Sequence, residues 1–317
     1  MTQPAPVSPR SPRRHWAAWL MLSVALGAAA AQSPDSSPTL ERVRTTGVIV
    51  MGYRPSAPPF SFVDARLKPA GYSVELCERV IAAVRQRLNL PDLEVKRVAV
   101  SSTARVALSA NGTLDLECGV TTHTAQRALS QGFSITTFVA QTRLLTRRDV
   151  ELQTLNDLRG LTVATTLGTT SQQVLNRLNQ ERKLGMRIVT GAEDPEAFEL
   201  LRRNQADAYL MDDVLLLGRL ALTPAGLQAQ DYRLSSLALS VEPYALGLRR
   251  GDAVFKRLVD EVLTQLYRSG EIHQIYRRWF EQPIAPNGQN MRLPMSAALR
   301  RVIAQPSDSP NPAHYAP

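Results

Sequence analysis

An α/β fold of two β-α units, the second inserted into the first, is predicted for this chain of 317 residues, and three observations carry the prediction. Short apolar runs of strand length alternate with apolar residues at helical spacing. That alternation occurs twice. Two extended runs, at residues 139–145 and 240–248, bracket the second round, so one unit interrupts the other. A hydrophobic content of 44% with 21% charged residues is that of a globular chain, which sets aside disorder and a membrane bundle.

The N-terminus carries Arg10, Arg13 and Arg14, an apolar run over 16–25, and small residues from Gly27 to Ala31. This is the pattern of a signal peptide over residues 1–31, cleaved near Ala31, and it places the mature chain in the periplasm. The apolar run is shorter than the roughly 20 residues a membrane anchor needs. The formal charge of +9 falls to +6 once the three leader arginines leave. The remaining arginines are scattered, with no aromatic-interleaved stripe and no zinc spacing, so neither a nucleic-acid partner nor a metal site is expected, and no cofactor is implied. Cys77 and Cys118 pair in an oxidising compartment or stand as two buried apolar residues; their spacing fixes neither.

After a Ser/Pro leader over 32–39, residues 40–46 read as a short helix and 48–51 as a buried strand that runs into the proline-rich loop holding Arg54. Apolar residues at 76, 80, 81, 84 and 88 predict a helix over 72–88, stopped by Asn89-Leu-Pro91. Residues 93–100 return to a strand, Ser101 and Ser102 cap a helix containing Arg105, and Asn111-Gly112 turns into a strand at 115–119. The second round places strands at 161–165, 187–189 and 208–211, with helices at 172–184, 195–203 and 214–222. The extended run at 240–248 then leads to helical patterns over 254–267, 271–280 and 296–303. The proline-rich residues 304–317 are expected to be a disordered tail.

The most informative stretch is Asp115-Leu-Glu-Cys-Gly-Val-Thr-Thr-His-Thr-Ala-Gln-Arg127. A short strand here enters a hydroxyl-rich loop ending on an arginine. Backbone N–H groups, threonine hydroxyls and a guanidinium fork within a few residues are what holding a small carboxylate requires. His123, in the same loop, is expected to be solvated. Arg54, Ser102, Arg105 and residues 121–127 all fall beyond strand C-termini or just inside the following helix, where ligands of open α/β sheets gather.

These residues, together with Gly47-Val-Ile-Val-Met-Gly-Tyr-Arg54, Asn111 to Gly119, Thr142-Arg-Leu-Leu-Thr146, Gly168-Thr-Thr-Ser171, Met186-Arg-Ile, Met211-Asp-Asp213 and Trp279-Phe280, resemble the periplasmic solute-binding proteins of polar amino-acid ABC transporters over about residues 40–303. The likeness is greatest to the glutamate/aspartate-binding subgroup. It implies a two-lobed type II periplasmic-binding-protein fold, the Venus flytrap. Lobe 1 is discontinuous over 40–141 and 246–303, lobe 2 covers 146–240, and the two extended runs are hinge strands. It further implies that Arg127, with Thr122 and the amides at Thr169 and Thr170, takes an amino acid's α-carboxylate, that Asp212 takes its ammonium with a backbone carbonyl at Val120, and that Arg54, Ser102 and Arg105 take a distal carboxylate. In this reading the cleft arginines have no chain acid to match, so an anionic ligand balances them.

Three positions depart from the subgroup. Asp194 stands where a histidine helps hold the distal carboxylate; an acid there repels such a ligand or pairs with an arginine. Val120 replaces a serine. The cysteine that would partner Cys118 is replaced near Leu246, so that disulfide is expected to be absent and Cys118 to be a buried free thiol.

The same fold hosts periplasmic dehydratases acting on prephenate or arogenate, for which Asp115, Glu117 or Asp194 would have to serve as general acid. No Gly-x-Ser-x-Gly or His-Glu-x-x-His motif supports a hydrolase. A sensor reading would need a fused kinase or peptidoglycan-cleaving domain, which does not follow here. The expectation is a monomeric, non-enzymatic binding component of an ABC importer that closes around glutamate or aspartate, or, as the alternative, around glutamine or asparagine, and delivers it to a membrane permease.

Overall fold

The computed structural model describes residues 1–5, 36–221, 229–284, 288 and 290–316. The expected leader, from residue 6 onward, lies outside the described residues. The fold opens with helix α1 (Pro38–Thr46), strand β1 (Val48–Tyr53) and a small sheet of β2 (Ser56–Ala57), β3 (Ser61–Val63) and β4 (Pro69–Ala70). There follow α2 (Tyr72–Leu88), β5 (Glu94–Ala99), α3 (Arg105–Ala110), β6 (Leu116–Glu117), α4 (Ala125–Ala128) and the long β7 (Gly132–Arg147). The second round comprises β8 (Thr162–Thr166), α5 (Thr170–Arg182), β9 (Arg187–Gly191), α6 (Asp194–Arg202), β10 (Ala208–Asp212) and α7 (Asp213–Ala221). β11 (Tyr232–Leu234), β12 (Ser240–Leu248), α8 (Ala253–Ser269), α9 (Glu271–Tyr276) and α10 (Ala297–Ala304) complete it.

The large sheet runs β5-β1-β6-β12-β7-β10-β8-β9, with β11 beside β7. β1 pairs in parallel with β5 and β6, and β8 with β9 and β10, as the repeated β-α order demands. β7 and β12 instead pair antiparallel, Leu248 opposite Gly132 at one end and Ser240 opposite Thr142 at the other. Beyond Thr142, β7 pairs with β10. These two strands therefore run from one parallel set to the other and join two lobes. Among the described residues no helix is long and apolar enough to cross a membrane.

Local sequence explains the elements. α2 buries Val74, Leu76, Cys77, Val80, Ile81 and Val84 on one stripe and ends where Asn89 takes a left-handed conformation, its N–H returning to Arg85 and Gln86. β5, at the sheet edge, exposes Glu94, Lys96 and Arg97, charges that discourage further strand pairing. Where β7 and β12 leave the first lobe, Phe60, Tyr72, Phe138, Tyr244, Tyr276 and Phe280 interlock, with ring centroids 4.8 Å apart for Phe60–Phe138 and 4.3 Å for Tyr276–Phe280. Contacts of this kind contribute about 0.5–1.5 kcal/mol each beyond area burial. Tyr72 and Tyr267 donate their hydroxyls to the carbonyls of Thr137 and Thr136, so the buried polar ends are satisfied at 2.9 and 2.8 Å.

Two expectations are corrected. Cys118 is not a free thiol: it is disulfide-bonded to Cys77, with Cα atoms 6.2 Å apart. The resemblance pointed to a partner on the neighbouring strand β12, at Leu246. The bond is made instead across the sheet face, because α2 lies over β1 and turns Cys77 toward the end of β6. The second correction concerns the tail. Residues 305–316 fold back on β7, with the Thr136 N–H donating to Ser307 at 2.8 Å and Tyr315, 2% exposed, sharing a 2.9 Å hydroxyl contact with Thr136. Composition predicted disorder, but Tyr315 packs on Val139 and Val302, and Lys256 pairs with Asp308 at 3.0 Å. The segment's backbone docks where the β7–β12 register slips next to Ala245 and leaves the Thr136 N–H without a ladder partner.

Candidate ligand-binding site

The polar groups singled out in the sequence converge where the two parallel strand sets point their C-terminal ends at each other. Arg54 follows β1, Ser102 and Arg105 follow β5, and Thr121 to Arg127 follow β6. From the other lobe, Thr169 and Thr170 follow β8, Glu193 and Asp194 follow β9, and Asp212 ends β10. Arg54, Arg105 and Arg127 are nearly inaccessible, at 1%, 2% and 9% exposure. The Nε and Nη1 atoms of Arg105 have no hydrogen-bond partner among the described residues. Burial first, and then the charges of Arg54 and Arg127, bring the Arg105 pKa down to about 9. A buried cation repelled by two others is costly unless an anion joins it.

The loop after β6 is organised by its hydroxyls. Thr124 caps α4 by accepting from the Arg127 N–H at 3.2 Å, and Arg127 returns a bond from Nη1 to the Thr122 carbonyl at 3.0 Å, which orients its fork. Val120 is buried beside them. A Cβ at Gly119 would lie 2.3 Å from Oε1 of Glu117, so a larger residue there would displace that side chain. Glu117 is fully buried, with neither carboxylate oxygen hydrogen-bonded among the described residues, and its charge acts on both Arg105 and Arg127. His123 is not solvated as expected. It is buried, stacked on Phe133 at a ring separation of 4.2 Å, and burial lowers its pKa to about 4, because the first residues of β7 fold under the loop.

On the facing lobe, Thr169 caps α5 by accepting from the Gln172 N–H at 3.2 Å. The Thr170 hydroxyl donates to Glu242 at 2.8 Å and lies 3.5 Å from the Thr122 hydroxyl, so the two lobes touch. Gly168, at φ +76, brings the α5 turn against Thr103, where a Cβ would come within 2.8 Å. Asp212 accepts from Thr142 at 2.9 Å and from the Tyr244 hydroxyl, which reaches it from the aromatic cluster. Glu242 accepts from the same Thr142 hydroxyl at 3.3 Å. Burial, and next the Glu242 charge, push the Asp212 carboxyl up from the usual 3.8 to about 8. Two buried carboxyls around one hydroxyl form a receptor for a cation, which would favour the ionised form of Asp212.

Arg54 does have matching acids, contrary to the sequence argument. It forms an ion pair with Glu193, and Asp194 lies 3.8 Å from it. Asp194 thus pairs with an arginine, the second of its two expected behaviours, while accepting from Thr166 at 2.7 Å. Sequence reasoning passed over Glu242 and Glu193. An acid inside the otherwise apolar run 241–248 was the available signal for the first, and two adjacent acids at a helix start for the second.

A two-lobed α/β protein with a charged interlobe cleft, hinged on two strands, has the architecture that solute-binding proteins share. Residues 49–282 match the bacterial extracellular solute-binding proteins, family 3, and the chain belongs to that family. It is 39% identical over 293 residues to the L-glutamate/L-aspartate-binding protein of Pseudomonas aeruginosa, covering 91% of this chain and 96% of that one. It is 37% identical over 292 residues to the glutamate/aspartate import solute-binding protein of Escherichia coli K12, covering 91% and 96%. Among solved structures it is similar to a mutant of the arginine-binding protein ArgBP of T. maritima, with a TM-score of 0.66, 26% identity, and 76% of this chain and 98% of that one covered. The same TM-score of 0.66 relates it to an ancestral amino acid-binding protein described as a precursor of cyclohexadienyl dehydratase, at 23% identity over 77% of this chain and all (100%) of that one; at that identity the likeness speaks for the fold. The first of these relatives is named as a binding protein and the second as an import solute-binding protein.

Proposed function

We propose that this protein is the periplasmic binding component of an ABC importer for acidic amino acids. It is exported by a signal peptide cleaved near Ala31, acts as a monomer without a nucleic-acid partner, and delivers its ligand to a membrane permease. Lobe 1 (40–141 and 246–303) and lobe 2 (146–240) close about the hinge strands; periplasmic binding proteins are themselves a standing example of such closure. Arg127, with Thr122 and the amides at Thr169 and Thr170, holds the α-carboxylate. Asp212, assisted by Glu242 and a carbonyl at Val120, holds the ammonium. Arg105, with Arg54 and Ser102, faces the distal carboxylate.

The observation that carries this reading is the buried guanidinium of Arg105, whose Nε and Nη1 have no hydrogen-bond partner among the described residues, beside two further buried arginines. Arg105→Ala should weaken glutamate and aspartate by about 30- to 100-fold, the cost of truncating one side of a buried charge pair, while changing glutamine less than about threefold. Calorimetric titration checks this, and equal losses for glutamate and glutamine would remove Arg105 from the distal subsite. The acids facing Arg54 favour one second reading, a neutral polar amino acid such as glutamine or asparagine. Binding of these amides but of neither dicarboxylate by the unaltered protein would establish it.

The raised Asp212 carboxyl gives a pH signature. Its folded pKa lies above its unfolded one, so its contribution to stability falls as pH rises from about 4 through about 8. An ammonium bound there favours the ionised form. Ligand binding should therefore release protons below about pH 8, and affinity should rise from pH 6 to pH 8. Titration in buffers of different ionisation enthalpy measures the release; no release at pH 6.5 would separate Asp212 from the ammonium.

A further inference from the structure

Glu193 occupies the N-cap position of α6 but makes no capping bond; its carboxylate reaches across to the other lobe instead. There Oε1 accepts from the Ser102 N–H at 2.9 Å, and Oε2 accepts from the Ser102 hydroxyl at 3.4 Å and from the Arg54 guanidinium. These are a charged fork, an amide and a hydroxyl converging on one carboxylate. We propose that Glu193 is a specificity-determining residue, a tethered carboxylate seated in the distal subsite that a dicarboxylic amino acid must displace in order to bind.

The proposal rests on the reading of this cleft as an amino-acid site, and three features separate Glu193 from its neighbour Asp194. Asp194 is buried and tied within its own lobe by Thr166, whereas the Glu193 side chain keeps 24% exposure, has one more methylene, and depends on the opposite lobe for its described contacts. Arg54 is fully enclosed and already has Asp194 3.8 Å away, so a ligand carboxylate added beside that of Glu193 would be a third negative group with little solvent between them. A distal amide does not carry that charge. A ligand's distal carboxylate gains the donors only after Glu193 leaves them, and its apparent affinity is reduced by the fraction of molecules in which the residue is seated.

The test is calorimetric titration of the mature chain, Glu193→Gln and Glu193→Ala with glutamate and with glutamine. Glutamate affinity should rise about tenfold or more in both variants, the scale of a partly buried charge pair, with glutamine changing less than about twofold. Unchanged or weakened glutamate binding in both variants, alongside measurable binding by the unaltered protein, would mean that Glu193 does not compete and would overturn the inference alone. Equal gains for glutamate and glutamine would also overturn it, since they would report easier lobe motion rather than a charge at the distal subsite. Failure of the unaltered protein to bind any amino acid would overturn the functional reading and this inference together.

Discussion

Arg127→Ala is expected to abolish binding of every amino acid, lowering affinity for glutamate, aspartate and glutamine alike by at least about 100-fold. The α-carboxylate is common to all of them, and the Arg127 fork is already aimed by its bond to the Thr122 carbonyl and by the Thr124 cap on its own amide. Truncating one side of a desolvated charge pair costs about 2–5 kcal/mol, part of it the penalty on the group left behind. The variant should nevertheless fold. Burial lowers the Arg127 pKa, so the unliganded protein carries a cost for that charge which alanine removes. A thermal midpoint that is unchanged or raised, with binding lost in titration calorimetry, is the expected pair of results. Binding lost together with a collapsed midpoint would make Arg127 a structural residue instead.

The second large effect is on stability. Replacing Cys77 and Cys118 by serine opens a cross-link that spans 41 residues, and chain entropy alone assigns such a loop about 4 kcal/mol. For a chain of this size that corresponds to a fall of roughly 8 °C or more in thermal midpoint. The bond also anchors the loop that carries Val120, Thr122 and Arg127, since Cys118 sits two residues before Val120. The double serine variant should therefore lose affinity as well as stability, whereas reducing agent should leave it unaffected. Equal midpoints for the oxidised chain and the variant would deny the cross-link any part in stability.

The alternation of strand-length runs with helical spacing is a local property, and α2, β1, the two hinge strands and α8 all follow from it. So does the gathering of Arg54, Ser102, Arg105, Arg127 and Asp212, because strand C-termini in an open sheet face a common crevice whatever the side chains. What sequence could not supply was proximity across the cleft. Glu193 and Arg54 lie 139 positions apart, and only the opposition of the two lobes makes them a pair. Glu242 is one acid in an otherwise apolar strand, and only the fold brings Thr142 and Thr170 to it. The disulfide was misjudged because spacing left the Cys77–Cys118 pair open and the resemblance then weighed only a strand neighbour near Leu246, whereas the bond depends on a helix lying over the sheet. His123 was misjudged because loop membership says nothing about the ring that Phe133 places beneath it.

The docked tail bears on how this molecule could be put to use. Tyr315 is held against Thr136 and Val139, within a strand that joins the two lobes. A fluorophore or second protein attached immediately behind Tyr315 would bear on that strand, so this position suits a label meant to report lobe motion, while an inert affinity handle belongs behind a flexible spacer.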